Sequence, residues 1–252
     1  MSLFNNSEKL VNPAKKFIEF SAAENKSYFS YYDKEKKQTV ILKPPFYIVP
    51  VDILSTVTGY HNKSKSGIWS REVRNTKTDA LDVRTFGSKT HNTKSTIIAE
   101  GLWKDIEGVV VKAGGVFASS IYAVMLDKKM NPIELIHLKL SKSSLNAWIE
   151  AGVTYKSVSN GIVVKCEVDP ELRTDAPIPF RVPKFTTMSA EKDLISTVLE
   201  VAAELPEYHK KYFNRTETTE ESQEELVVPK DETPLINKAT VLDEVEDDDL
   251  PF

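Results

Sequence analysis

The stretch that decides the fold is Gly114-Gly115-Val116-Phe117-Ala118-Ser119-Ser120-Ile121-Tyr122-Ala123-Val124-Met125-Leu126, together with Asp127-Lys128-Lys129-Met130-Asn131-Pro132-Ile133-Glu134-Leu135-Ile136-His137-Leu138-Lys139-Leu140 directly after it. Val116 to Leu126 reads as one β-hairpin arm, Asp127 to Pro132 as the turn and Ile133 to Leu140 as the other arm. Successive side chains of a strand point to opposite sides, so Val116, Ala118, Tyr122, Val124 and Leu126 share a face, interrupted by Ser120.

Working towards the N-terminus, the same β-prone and aromatic character recurs in short runs. Lys16 to Phe20, Lys26 to Tyr32, Gln38 to Leu42, Phe46 to Val49, Ile68 to Arg74, Leu81 to Phe86 and Thr96 to Glu100 read as strands. Asp33 to Lys37 is a charged turn, and Pro44-Pro45 interrupts before Phe46. Towards the C-terminus, Ser141 can cap a helix to Ala151, with Gly152 as its stop. Ile162 to Val168 is a strand. Ser189 can cap a second helix, whose Leu194, Val198, Val201 and Leu205 recur at helical spacing and which Pro206 ends or kinks. Many short strands, with a helix between the hairpin and a last strand, suit a mainly β fold. The expectation is an OB-fold-like Greek-key barrel with added strands and one or two helices over residues 1–213.

From residue 214 to 252 the character changes. Thr216 to Glu225 contains only Thr, Glu, Ser and Gln, and Pro229 and Pro234 follow. Such a segment buries too little apolar surface to offset its ordering entropy, so a disordered acidic tail is expected. Charge divides at the same point. Arg215 to Phe252 holds thirteen acidic and three basic residues, and the remainder holds twenty-four acidic and thirty basic, so a body of +6 carries a tail of −10 within a net charge of −4. The body suits a polyanion; the tail suits a basic pocket, or competes for the body's own basic surface.

Several function classes find no support. No run approaches the ~20 apolar residues of a membrane span, and Met1 to Lys16 has no apolar signal-peptide core. The single cysteine, Cys166, rules out an internal disulfide, and His61, His91, His137 and His209 are scattered, so no metal site is expected. A reducing cytoplasm fits. There is no phosphate-cradling Gly-x-x-x-x-Gly-Lys-Ser/Thr run. Asp79 and Asp82 lie in a basic, loop-like stretch and read as solvated. No catalytic residue and no cofactor are expected.

The positive signals are two. From Gly59 to Lys94 eight Lys and Arg residues face three acids, with Tyr60, Trp69 and Phe86 interleaved. Binding single strands without sequence preference needs such a mixture, because cations follow the phosphates and aromatics stack on bases. Lys63, Lys65, Arg71, Arg74, Arg84, Lys89 and Lys94 are the candidate phosphate contacts, with Lys63, Lys65 and Lys89 on loops at strand ends. Tyr28 and Tyr32 share one face of their strand and Phe29 and Tyr31 the other; Tyr28 and Tyr32 are placed outward as further stacking candidates. Trp103 and Trp148 are assigned to the core.

The second signal is the tip, Asp247-Asp248-Asp249-Leu250-Pro251-Phe252. It resembles the end of bacterial single-stranded-DNA-binding proteins and of phage replication proteins with that role: an acidic run, a small apolar pair and a terminal phenylalanine. The length of the body looks more like the phage-encoded type. The resemblance implies coating and protection of single-stranded DNA in replication, recombination and repair. It also implies recruitment of partner proteins through the tip and residence in the bacterial host's cytoplasm. The chemistry of the tip is sensible by itself, since Phe252 joins a ring for an apolar pocket to an α-carboxylate for a cation. The alternative is a single-strand annealing recombinase. The sequence leaves the oligomeric state open, a homodimer included.

Overall fold

The computed structural model describes residues 10–23, 26–88, 90–174 and 179–214. The strands among them are β1 (Lys16–Ala23), β2 (Lys26–Asp33), β3 (Gln38–Leu42), β4 (Phe46–His61), β5 (Ser66–Ser70), β6 (Leu81–Thr85), β7 (Ile97–Gly101), β8 (Gly115–Leu126), β9 (Pro132–Ser141), β10 (Ile162–Val168) and β11 (Pro183–Ser189). The helices are α1 (Trp103–Lys112), α2 (Lys142–Glu150), α3 (Tyr155–Ser159), α4 (Lys192–Val201) and α5 (Leu205–Phe213). The protein is mainly β, as the sequence indicates. No described helix is long and apolar enough to cross a membrane.

The strands form one mixed sheet in the order β3-β2-β1-β9-β8-β4-β5-β6-β7, with β10 branching from β4 and β11 pairing β10. The β1–β9 pair is parallel. The expected hairpin is β8–β9, in register from Ala118–Ser141 to Leu126–Pro132. The sheet path is open; no ladder among the described residues joins its end strands. The strand read as Phe46 to Val49 continues for 16 residues. Pro50, which cannot donate to a ladder, sits where the β4–β8 register shifts between Pro50 and Asp52, a bulge that accommodates it. That length lets β4 serve two neighbours on one side: Phe46 to Ile48 pair with β10, and Thr58 to His61 with β5.

Three apolar clusters hold the sheet. The largest gathers Ile18, Phe29, Phe46, Ile48, Ile121, Leu138, Trp148, Cys166 and Phe185, among others. There β2 and β11 meet by side chains, with Phe29 and Phe185 ring centroids 6.2 Å apart and the Arg181 amide donating to Ser27 Oγ at 3.1 Å. A second cluster places Leu54, Tyr122, Val124 and Leu126 against Val198, Ala202 and Leu205 of the α4–α5 region. A third packs Val57, Ile68, Leu81 and Val83 against Ile106 and Val110 of α1. Strand β8 is consequently buried on both faces, where alternation alone suggests one core face: Ile121, Ala123 and Met125 enter the first cluster, Tyr122, Val124 and Leu126 the second.

Four local expectations are corrected. Pro206 begins a helix instead of ending one: it lies in the first turn of α5, where its missing N–H costs no helical bond. The cap of α4 is Glu191, not Ser189, because Ser189 ends β11, a strand absent from the sequence expectation. Helix α1 is a further addition; Val109-Val110-Val111 looks like a strand, yet Trp103, Ile106, Val110 and Ala113 carry a helical stripe into the third cluster. Finally, the strand read as Ile68 to Arg74 stops at Ser70. Ser141 and Gly152 do bound α2: Ser141 and Ser144 form a reciprocal cap, and Gly152 takes φ +70°.

Candidate nucleic-acid interface

Ladder register settles which side chains share a face in the β4–β7 lobe. Val57, Ile68, Leu81 and Val83 point towards α1. Thr58 is paired with Trp69, Tyr60 with Gly67, Trp69 with Arg84 and Arg84 with Ile97, and the Phe86 amide donates to the Gly67 carbonyl at 3.0 Å. Paired residues of antiparallel strands project to the same side, so Tyr60, Trp69, Arg84, Phe86 and Ile97 all lie opposite α1. None of these five belongs to the three clusters. Tyr60 is 42% exposed and Ile97 55%, and Trp69 and Phe86 are half-buried.

Trp69 and Phe86 stack on each other, with centroids 5.7 Å apart and planes 25° from parallel. Gly67 makes room for this ledge: a Cβ there would stand 2.9 Å from Phe86 Cδ2. Arg84 lies beside the ledge, its Nε donating to Asp82 Oδ2 at 2.6 Å. The other Asp82 oxygen is buried without a partner among the described residues. Asp82 is only 9% exposed, a correction to its reading as solvated.

Two loops close one end of the ledge. The β4–β5 turn carries exposed Lys63 and Lys65, and Lys94 is exposed in the β6–β7 connection. They are tied together, since Thr93 Oγ1 donates to the Ser64 carbonyl at 3.0 Å. Within the turn, His61 Nδ1 and Ser64 Oγ are 2.7 Å apart. Lys89, expected in the same group, lies outside the described residues, as do residues 215–252 and with them Asp247 to Phe252.

No protein family, curated protein or solved structure matches this chain.

Other candidates stand elsewhere. Tyr28 and Tyr32 are half-buried on the face of β2 opposite core residue Phe29, but β1, β9, β8 and β4 separate β2 from β5 in the sheet. Two aromatic sets therefore exist, not one. Arg71 and Arg74 are drawn towards α5. Arg71 Nη2 donates to the Tyr212 carbonyl at 3.1 Å, with its guanidinium 5.7 Å from that residue's ring centre. Arg74 Nη1 donates to Asp52 Oδ1 at 3.2 Å, its Nη2 is 3.0 Å from Oδ2, and its guanidinium lies over the Phe213 ring at 5.1 Å.

Between these arginines Glu72 anchors a buried network that the sequence does not announce. His137 Nε2 is 3.1 Å from Glu72 Oε1. The Tyr122 hydroxyl donates to Oε2 at 3.0 Å and accepts from Asn12 Nδ2 at 3.0 Å. The Glu72 amide donates to the Tyr212 hydroxyl at 2.9 Å. Burial alone would raise the Glu72 carboxyl's pKa, but hydrogen bonds and charge from His137, with Ser120 and Tyr122, hold it below the usual range. At Asp52 burial is likewise outweighed by His209, 3.0 Å away, and by Arg74. The Tyr122 and Tyr212 hydroxyls are pushed up by burial and by the Glu72 charge, which keeps both neutral. Burial also pushes up the Cys166 thiol, an environment that disfavours a nucleophilic thiolate. Nothing in the linear sequence links Asn12, Glu72, Tyr122, His137 and Tyr212; the only local hint is a glutamate inside an otherwise basic run.

Proposed function

We propose that the chain binds single-stranded DNA without sequence preference, laying bases across the Tyr60–Trp69–Phe86 ledge and phosphates along Arg84 and the Lys63, Lys65 and Lys94 loops. The observation that carries this reading is the orientation of the ledge: three aromatics face away from a core that aliphatic residues already fill, beside a cation and two joined basic loops. Rings on such a platform offer ~1–3 kcal/mol per stacked base, and cations beside them neutralise the backbone.

Connectivity supports an OB-type core within the open sheet. Strand β4 pairs with both β8 and β10, β8 pairs with β9, helix α2 precedes β10, and β11 follows β10. With β4 as first strand and β8 as second, the β5–β7–α1 lobe is an insertion in the first connecting loop, one of the loops with which OB-folds hold oligonucleotides. The tip Asp247 to Phe252 is proposed to recruit replication and repair proteins in the cytoplasm, on its sequence alone. Residues 1–213 should bind DNA at least as tightly as the full chain, because the −10 tail competes for the +6 body.

Titration of intrinsic tryptophan fluorescence with oligo-dT, beside duplex of equal length, tests the function. Saturable quenching by oligo-dT, weaker with duplex and lost in Trp69→Phe, is expected. No fluorescence or anisotropy change with oligo-dT at low salt would sink the proposal.

A further inference from the structure

The face that carries Tyr60 continues along β4 through Thr58 and Thr56 to Leu54, which lies under α4 and α5. Helix α5 therefore stands at one end of the ledge. The cleft there is lined by Arg71, Arg74 and Phe213 together with the acidic Glu72, Asp79, Asp82 and Glu100. The last turn of α5 holds Arg71 through the Tyr212 carbonyl and ring and covers Arg74 with the Phe213 ring, while Asp52 pairs with Arg74. The carboxyl end of a helix bears a partial negative charge, ~0.5 of an elementary charge, from its unpaired carbonyls. A guanidinium bonded to such a carbonyl is thus held by a weak stand-in for an anion. A phosphodiester oxygen carries a larger share of a full charge and accepts the stronger, charge-assisted bond.

Resting on the single-strand reading, we propose that the last turn of α5 is a latch on the interface: a DNA strand extending from the ledge displaces Tyr212 and Phe213 and takes Arg71 and Arg74 as further phosphate contacts. The displacement gives up the Glu72 amide's bond to the Tyr212 hydroxyl and the packing of Phe213 against the second cluster. The buried anchors of the helix, Leu205 and His209, lie in its first and second turns, so the final turn can leave while they stay. Arg74 keeps its paired bonds to Asp52 in both states, and only its ring cover changes.

Hydrogen exchange of the full chain, with and without saturating oligo-dT at low salt, reads the latch directly. Amides of residues 210–213 should exchange faster in the complex while those of α4 do not. Phe213→Ala should bind oligo-dT about two- to fivefold tighter, the size of one cation–π contact. Arg71→Ala with Arg74→Ala should make the salt dependence shallower by about 1.4 in log–log slope, two phosphates' worth. Tight oligo-dT binding with unchanged or slowed exchange at 210–213 would overturn the latch and leave the binding function standing. Absence of any oligo-dT binding would overturn both.

Discussion

The β1–β2–β4–β8–β10–β11 body and the β5–β7 lobe use the same residue types in opposite ways. In the body, the aromatics of the largest cluster point inward: Phe29 meets Phe46 at 5.0 Å and Trp148 meets Phe185 at 5.0 Å, in edge-on contacts. In the lobe, the buried residues of the α1-facing side are all aliphatic, with the partly buried Trp103 packed against them, and Trp69 and Phe86 stack on the opposite side. A ring is therefore no sign of core or of site by its type. The face decides, and the face follows from register: Ile68, next to Trp69, is 2% exposed, and Val83, next to Arg84, is fully buried.

The comparison breaks first on stability. Trp148→Ala should destabilise the protein by about 3–5 kcal/mol, the cost of emptying a large aromatic site, measured by urea unfolding. Trp69→Ala should cost far less stability and instead weaken oligo-dT binding by about 1–3 kcal/mol. A reversal of these two results, with Trp69→Ala unfolding and Trp148→Ala unaffected, would invert the assignment of faces.

Acid should sharpen the contrast by loosening α5 before the lobe. The Asp52 and Glu72 carboxyls sit below their ordinary range in the folded protein; Asp52 pairs with His209 of α5, and Glu72 bonds Tyr122, whose ring packs on His209. A lowered folded pKa contributes stability above the unfolded value, and that contribution is lost as pH falls through about 4.5 towards the folded value. Exchange protection of α5 should therefore drop between about pH 5 and 3, ahead of that of β5 and β6. Protection of α5 that rose on acidification would contradict the anchoring role of the two carboxylates.

The smallest expected effect concerns the loops. Lys63→Ala, Lys65→Ala and Lys94→Ala should each lower the salt slope of oligo-dT binding by about 0.7 and leave folding untouched. Slopes unchanged from the parent chain in all three variants would place the phosphates elsewhere.

Much of the body is legible in the sequence because its strands are short, bounded by turn residues and rich in β-branched and aromatic side chains; β3 and β10 match their sequence reading at both ends. What escapes has physical causes. Helix α1 hides behind three consecutive valines whose local preference is extended, overridden by packing of Ile106 and Val110 under the lobe. Strand β11 consists of Pro183 to Ser189, with a proline at its start and an exposed polar face, so alternation is faint. At the interface, composition alone points to Tyr60, Trp69, Arg84 and Phe86, and the ladder brings them together. It does not point to Ile97, whose place beside Arg84 depends on the register shift between Val83 and Arg84. Arg71 and Arg74 join the ledge residues only by proximity in sequence. Their engagement by Tyr212, Asp52 and Phe213 is long-range and leaves no local trace.

The central claim is that the outer face of the β4–β7 lobe holds the strand. Ultraviolet cross-linking of the full chain to oligo-dT, followed by mass spectrometry of the linked peptides, tests it most directly. Cross-links at Tyr60, Trp69 or Phe86 are expected. Cross-links confined to Tyr28 and Tyr32, four strands away in the sheet, would contradict the account and move the binding face to β2.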